Sequence, residues 1–308
     1  MRLTPAGATL IELIVVLALG GALCALMLSM VARQQRFHTG INAVVEGKRS
    51  TRDAIELLAR ELRPIATSGA ALAPHGSDIY VMSDSAISFR AHLGSSVVCA
   101  VDADRTTITL PGTNGPINQR LTSFIVLPRA GDSLFIFDRG TTPSRDDDMW
   151  LRFALASALA GASCPVRPLG LAADEAESAF AVSALLTNPI PATIDVGAPV
   201  RFFRPTTYSL YRTGVGDWAL GISACAGGSC SVRQPVTGPY QSPTSGTAQG
   251  IALEFLDASG APTTAPGSVA RIDVVARTRT ATPLDMAHIR GTRYHDSLTT
   301  SIAIRNRW

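Results

Sequence analysis

Gly7-Ala8-Thr9-Leu10-Ile11-Glu12, followed without a break by the uncharged run LIVVLALGGALCALMLSMVA from Leu13 to Ala32, determines the fold expected for this chain. A helix rises about 1.5 Å per residue, so the run would span roughly 30 Å, the thickness of a bilayer core. A helix buried in a soluble protein is rarely apolar on every face over this length. We therefore predict that residues 13–32 insert into a membrane.

The start of the chain does not follow the order of an ordinary secretory signal, which has a short apolar stretch and then a small-residue cleavage site. Here the apolar stretch is longer, and no Ala-x-Ala site stands within or after it before the polar residues 33–36. Glu12 places one carboxylate at the head of the apolar helix. A charge deep in a bilayer is costly and is usually paired or functional, whereas a carboxylate at the interface can reach water. The residues alone leave both interpretations of Glu12 open.

The hexapeptide from Gly7 to Glu12 resembles the processing and methylation site of type IV prepilins. The resemblance implies that residues 1–7 are a leader, that a prepilin peptidase cleaves after Gly7, and that the new amine on Ala8 is N-methylated. It also implies that Glu12 neutralises the terminal amine of a neighbouring subunit, which supplies the partner that a buried carboxylate needs. Two departures are Ala8 in place of the usual Phe and a leader with one basic residue, Arg2.

The helix is expected to continue beyond the membrane segment, because apolar residues recur at three- and four-residue steps from Ile41 to Leu62. Pro64 should end it, so we predict one helix over residues 8–63, roughly 80 Å long. Its end, from Arg52 to Arg63, resembles the same helix in W-type minor pilins and J-type minor pseudopilins. Weak points where the helix could bend are the glycines Gly20, Gly21, Gly40 and Gly47.

The pattern changes to a period of two over residues 64–308, which predicts a strand-rich and mainly antiparallel globular domain and an α+β fold class. We further predict short helices at Leu155–Ala160 and Ala172–Phe180, and a mobile loop at Gln234–Gln249, which is rich in Pro, Gly, Ser and Thr. The ending from Leu298 to Arg307 resembles the terminal strand of the same minor pilin families. The predicted strands are Ile79–Met82, Ala86–His92, Val97–Val101, Thr106–Leu110, Ser123–Leu127, Leu134–Asp138, Trp150–Ala154, Val200–Arg204, Thr207–Arg212, Trp218–Ile222, Ile251–Leu256, Ala270–Ala276 and Leu298–Arg305.

Four of the five cysteines lie beyond the apolar segment, and they are disulfide candidates: Cys99, Cys164, Cys225 and Cys230. Four thiols allow three pairings, of which the close pair Cys225–Cys230 is favoured as a local loop. A zinc site would need a second close pair, so we predict no metal. Disulfides indicate an oxidising compartment and hence an exported domain. The positive-inside rule opposes this orientation, since more basic residues follow the segment than precede it. We give the cysteines and the resemblance precedence.

Three short patterns suggest other chemistry. Gly131-Asp132-Ser133-Leu134 spells the nucleophile motif of GDSL hydrolases, and Asp285 and His288 have the spacing of that family's remaining triad members. The motif lies between two predicted strands, which favours a hairpin turn, and no oxyanion hole is indicated. Asp138 and the run Asp146-Asp147-Asp148 could hold calcium, although loop carboxylates are more often solvated. The tryptophans could bind sugar, although tryptophans in strands usually belong to the core; they are Trp150, Trp218 and Trp308.

Composition adds one exclusion. The formal charge of +3 comes from 27 Lys and Arg against 24 Asp and Glu, and the basic residues are scattered singly. Nucleic-acid-binding proteins usually cluster such residues on one face, so we predict no nucleic-acid partner.

Together the residues and the resemblance predict a minor pilin or pseudopilin of a type IV pilus or a type II secretion system. It would have no catalytic activity and no cofactor. The expected location is the inner membrane, with a single pass and an extracytoplasmic C-terminal domain that could enter an extracellular filament. The expected partners are the prepilin peptidase, other pilins or pseudopilins and the inner-membrane assembly platform. Two alternatives stay open: a membrane-anchored adhesin with an uncleaved anchor, and a tethered hydrolase using Ser133.

Overall fold

The computed structural model describes residues 9–67, 76–112, 121–142, 145–160, 164, 182–226, 228–243, 249–280, 284–286, 289–304 and 306–307. One long helix, α1 at Leu10–Leu62, is followed by strands that pair mainly antiparallel, so the α+β prediction is confirmed. The predicted leader and Ala8 lie outside the described residues.

The helix α1 is continuous over 53 residues, without a break at any of the four glycines. Its first turn is capped by Thr9, and it ends at Leu62, two residues before Pro64, as helices usually end at or before the residue that precedes a proline. At about 1.5 Å per residue the helix is close to 80 Å long. Only its second half has buried residues, which begin at Gly40 and end at Leu62.

The strands are numbered in chain order. Their bounds are β1 Ala66–Thr67, β2 Ile79–Ser83, β3 Ala86–Val97, β4 Ala100–Val101, β5 Thr107–Leu110, β6 Ser123–Phe124, β7 Ser133–Asp138, β8 Met149–Ala160, β9 Val182–Leu186, β10 Pro199–Arg212, β11 Trp218–Ala226, β12 Ser229–Cys230, β13 Gln234–Tyr240, β14 Ile251–Leu256, β15 Arg271–Arg279, β16 Leu284–Met286, β17 Ile289–Thr292, β18 His295–Ala303 and β19 Asn306–Arg307.

Strand β10 organises the sheet. It pairs with β3 along one edge over eleven residues, from Pro199 to Ser209. Along its other edge it pairs first with β7 and then with β11. From β7 the sheet continues through β8, β9, β5 and β4, and from β11 through β13 and β15, which pairs with both β14 and β18. The first part of β10 thus belongs to the half of the sheet that contains β7, and its last part belongs to the half that contains β11.

Two hydrophobic cores lie along this sheet. The first, which we call the helix lobe, packs Ala54, Ile55, Leu58 and Leu62 of α1 against the sheet. The second, which we call the outer lobe, contains no residue of α1. Its buried members are Leu93, Val98, Ile108, Leu110, Leu134, Ile136, Leu155, Ala184, Leu186, Ile190, Ile194, Val200 and Phe202. The helix therefore supports one lobe directly and the other only through β3 and β10.

The sequence predicted one strand before Pro205 and another after it, but the structure has a single strand, β10, that includes both. Pro205 pairs with Arg90 of β3, and its other side falls between Phe203, the last partner of β7, and Thr206, the first partner of β11. A proline cannot donate to a ladder, so it is tolerated where no strand needs its amide. The gap between β7 and β11 provides such a position.

Three local predictions are wrong. Leu155–Ala160 is the end of strand β8, because pairing with β9 and the burial of Leu155 override the helix preference of its alanines. The predicted loop at Gln234–Gln249 begins with strand β13, which pairs irregularly with β11 around its prolines. The GDSL motif is not a hairpin turn, since β6 pairs with β3 and β7 pairs with β8 and β10. The predicted helix at Ala172–Phe180 lies outside the described residues.

A buried ion pair joins β10 to the segment before β7. Arg204 donates from Nε to Asp132 Oδ1 at 2.7 Å and from Nη2 to Oδ2 at 2.6 Å, and the Asp132 side chain is fully buried. The pair is bidentate, the geometry in which an arginine and a carboxylate bind most strongly. A second buried pair, Arg90 with Asp78 at 3.1 Å, lies one residue along β3 from the partner of Arg204.

We expect Asp132→Ala to lower the free energy of unfolding by about 3–5 kcal/mol, because Arg204 would stay buried without its partner. The double variant Asp132→Ala/Arg204→Met should recover most of that loss, since an apolar replacement of the whole pair leaves no buried charge. Urea denaturation in detergent, followed by tryptophan fluorescence, measures both. The exposed pair Arg49–Asp53 provides the control, and Asp53→Ala should cost less than about 1 kcal/mol. A double variant as unstable as the single one would contradict this account.

Candidate functional site

The first half of α1 leaves the globular domain. From Leu10 to Thr39 every side chain is exposed except Gly20, which is half-buried. Leu10 and Leu28 are 79% and 70% exposed, and the other large apolar residues between Leu10 and Val31 are 47–72% exposed. An apolar surface of this extent marks contact with a membrane or with other proteins. The helix is long and apolar enough to cross a bilayer.

Thr9 and Glu12 form a capping box at the start of the helix. Thr9 Oγ1 accepts from the backbone N–H of Glu12 at 3.4 Å, and Glu12 Oε2 accepts from the backbone N–H of Thr9 at 2.9 Å. The Thr9 hydroxyl also donates to Oε2 at 3.2 Å. A capping box satisfies two backbone donors that the first turn leaves without partners. No role was predicted for Thr9, although its Thr-x-x-Glu spacing to Glu12 is the sequence signature of a capping box.

Glu12 is fully exposed and its next acidic neighbour along the chain is Glu46. Its carboxylate uses one oxygen, Oε2, in the capping box, which leaves Oε1 available to a further donor. Gly7 and Ala8, the predicted cleavage and methylation positions, lie outside the described residues. Cys24 is an exposed free thiol in the apolar segment.

The second half of α1 is fixed to the sheet by polar as well as apolar contacts. Ser50 Oγ donates to Gly238 O at 2.9 Å, and the Tyr240 hydroxyl donates to Ser50 O at 2.9 Å. Burial raises the pKa of Tyr240, so its hydroxyl keeps its proton. A Cβ atom on Gly47 would lie 3.1 Å from Thr278 Cγ2, so glycine allows the helix to approach β15 closely. The exposed half therefore projects from a firmly held base.

Two disulfides occur in the domain. Cys225 and Cys230 face each other across the β11–β12 pair, five residues apart in sequence. Cys99 and Cys164 are joined across 65 residues, and both are buried in the outer lobe. Of the three pairings that four thiols allow, the structure thus has the one that contains the local loop.

The GDSL motif has no catalytic arrangement in the described residues. Ser133 is buried, and its Oγ lies 3.1 Å from Nη2 of Arg152, which donates to it. Asp132 is occupied by Arg204. His288 and the side chain of Asp285 lie outside what the structure describes. A serine nucleophile needs a base within hydrogen-bond reach, and the group beside Ser133 is a cation instead.

Two of the acidic residues considered for calcium, Asp138 and Asp147, are engaged by the protein itself. Asp138 accepts from Gly140 N at 2.9 Å and from Thr193 Oγ1 at 2.7 Å. Asp147 accepts from the Thr142 hydroxyl and from the backbone of Thr141 and Thr142, and these hydrogen bonds lower its pKa to about 2. Within the described ranges, no group of three or more His, Cys, Asp or Glu side chains converges on one point.

Comparison of the chain with protein-family models, with curated proteins and with solved structures gave no significant match.

We expect the two disulfides to differ in their contribution to stability. In the chain-entropy account, closing 65 residues stabilises by about 4 kcal/mol and closing five by about 2 kcal/mol. Cys99→Ser/Cys164→Ser should therefore lower the free energy of unfolding about twice as much as Cys225→Ser/Cys230→Ser. Urea denaturation of the two double variants measures the difference. A larger loss from the Cys225–Cys230 variant would show that local strain or packing outweighs chain entropy.

Proposed function

We propose that this chain is a structural subunit, a minor pilin or pseudopilin, of a type IV pilus or a type II secretion pseudopilus. In this proposal the exposed half of α1 is held in the inner membrane and then packs with the helices of sibling subunits. The globular domain lies on the extracytoplasmic side and contacts other subunits of the filament.

The observation that carries the proposal is the division of α1. One half is fixed in the helix lobe, and the other is exposed over residues 10–39 and apolar on all sides from Leu13 to Ala32. A simple membrane anchor would explain the exposure, but it would not need a carboxylate in the first turn. A helix that leaves the membrane to join a bundle of like helices needs both the apolar surface and a buried charge partner.

Glu12 supports the assembly proposal because one of its carboxylate oxygens can still accept a hydrogen bond. A carboxylate accepts at two oxygens, and the capping box uses one. An N-methylated amine at Ala8 of a neighbouring subunit would supply a cation for the other oxygen. The same Glu12 would then cap its own helix and pair between subunits.

The disulfides support an extracytoplasmic domain. Two disulfides in one domain are typical of proteins that fold in an oxidising compartment. This orientation places the basic residues after the apolar segment on the outside, against the positive-inside rule. The dedicated export route of the prepilin family accounts for that exception.

The second candidate is a membrane-anchored extracytoplasmic binding module with an uncleaved anchor. It shares the helix and the disulfides but gives Glu12 no role beyond the cap. It also predicts an intact residue Met1 in the protein recovered from membranes. The two proposals therefore separate at the amino terminus.

We expect the chain recovered from cells with a prepilin peptidase to begin at N-methylated Ala8, because cleavage after Gly7 exposes that amine. Gly7→Ala should leave the terminus at Met1. Intact-mass and N-terminal peptide spectrometry of membrane fractions measure both. An intact Met1 in the unaltered chain, or a cut beyond residue 30, would favour the binding module.

We expect Glu12→Gln to reduce the amount of the chain in sheared filaments at least about tenfold while leaving membrane insertion unchanged. A neutral amide cannot neutralise the ammonium group of a neighbouring subunit, and the loss of a buried charge partner costs about 3–5 kcal/mol. Glutamine can still cap the helix, so the variant removes the charge alone. Thr9→Ala is the matched control, since it removes the cap hydroxyl at about 1 kcal/mol and keeps the charge. Filament yields that fall equally in both variants would assign Glu12 to capping.

A further inference from the structure

The outer lobe has a sheet surface that combines arginines with aromatic rings. Arg201 of β10 pairs with Phe135 of β7, and Phe135 pairs with Arg152 of β8. Residues directly paired across antiparallel strands lie on the same face. With strands about 4.8 Å apart, the Cα atoms of the two arginines lie about 10 Å apart. Phe137 and Trp150 form the next pair on this face, and we call these five residues the arginine face.

Both arginines are exposed but held in place. The Arg201 guanidinium carbon lies 4.6 Å from the centroid of the Trp150 ring, and Arg152 Nη2 donates to Ser133 Oγ at 3.1 Å. A guanidinium stacked on a ring keeps its N–H edge available for an anion. A side chain that is already ordered loses less entropy when a ligand binds, so the pair is preorganised.

Neither charge has a carboxylate partner in the part of the chain that the structure describes, where all the ion pairs involve other arginines. Asp78 is a buried acid that interacts electrostatically with Arg201, but its carboxylate forms an ion pair with Arg90 at 3.1 Å. Elsewhere in the chain exposed arginines do find acids, such as Asp53 beside Arg49. Two ordered and uncompensated cations on one flat face favour a ligand with several negative charges.

A cavity borders this face. It has a volume of about 270 Å³, and its lining combines the Phe137 ring with the polar side chains of Arg139, Thr193 and Asp195. Phe137 both lines this cavity and belongs to the arginine face, and its ring lies 5.4 Å from that of Trp150, so the cavity adjoins that face. An aromatic wall with a few convergent polar groups is suited to a small ring with hydroxyl groups.

We propose that the outer lobe binds a linear acidic polysaccharide, with one sugar ring in the Phe137 cavity and carboxylates of the chain on Arg201 and Arg152. Carboxylates match the fork of a guanidinium, and a polymer provides them at intervals along an extended shape. Single-stranded nucleic acid fits less well, because it needs open ring faces for base stacking. Here Phe135 is buried and Arg201 covers the Trp150 ring.

The test is binding of the full chain, purified in detergent, to an immobilised oligogalacturonate by biolayer interferometry. A neutral galactan of equal length and a single-stranded oligonucleotide are the comparison ligands. Arg201→Ala and Arg152→Ala should each raise the Kd for the oligogalacturonate about tenfold, the usual effect of losing a charge-assisted hydrogen bond. The neutral galactan should bind far more weakly.

Arg233→Ala is the matched control. Arg233 is also exposed and lies over a ring, that of Tyr211 at 5.4 Å, but it lies beside Gly221 of β11, away from the arginine face. It should change the Kd by less than about twofold, as for a surface substitution away from the site. An equal loss in Arg233→Ala would reduce the binding to general charge attraction and overturn the proposal. So would equal binding of the neutral galactan, no binding of the oligogalacturonate, or tighter binding of the oligonucleotide through Arg201 and Arg152. The result is independent of processing at Gly7, so it does not bear on the subunit proposal.

Discussion

The contact between the second half of α1 and the sheet of the helix lobe is the constraint on which the remaining architecture depends. Ala54, Ile55, Leu58 and Leu62 are buried there, and the Ser50 and Tyr240 hydrogen bonds fix the helix along its axis. Because one continuous helix carries both halves, this base also sets the direction in which the apolar half leaves the domain. A helix half that is long and apolar enough to cross a membrane and a folded domain thus share one rigid part.

The two lobes meet this constraint differently. The helix lobe uses α1 as one wall of its core, whereas the outer lobe builds its core from strands and from the segment between β9 and β10, which contributes Ile190 and Ile194. The strands β3 and β10 cross from one core to the other, and the buried pair Arg204–Asp132 lies at that crossing. A buried ion pair is weak evidence for stability, but its two fixed hydrogen bonds specify one register. Arg204 lies on β10 between Phe202, a member of the outer core, and Tyr208, a member of the helix-lobe core.

Much of this fold could be predicted because its signals are local. The apolar run, the three- and four-residue steps up to Leu62 and the stop at Pro64 each depend on neighbours in sequence, and so do most of the strands. The errors occurred where pairing with another strand decided the outcome. Leu155–Ala160 is strand because it pairs with β9, and Gln234–Tyr240 is strand because it pairs with β11. The capping box at Thr9 was present in the sequence as a four-residue pattern. The arginine face had no such signal, since Phe135, Arg152 and Arg201 become neighbours only through strand register.

Two of the two-residue strands, β1 and β19, have a mechanical consequence. Just after α1, Ala66 and Thr67 pair in parallel with Asn306 and Arg307, and the Thr67 hydroxyl donates to Val269 O at 2.7 Å. A pull along the helix axis therefore reaches the last residues of the chain at the same point as the first residues of the domain. The load passes into β18 and β15 together, and these strands are held to each other by nine residue pairs. Tension applied through the single helix of this domain is thus distributed over two adjacent strands of its sheet.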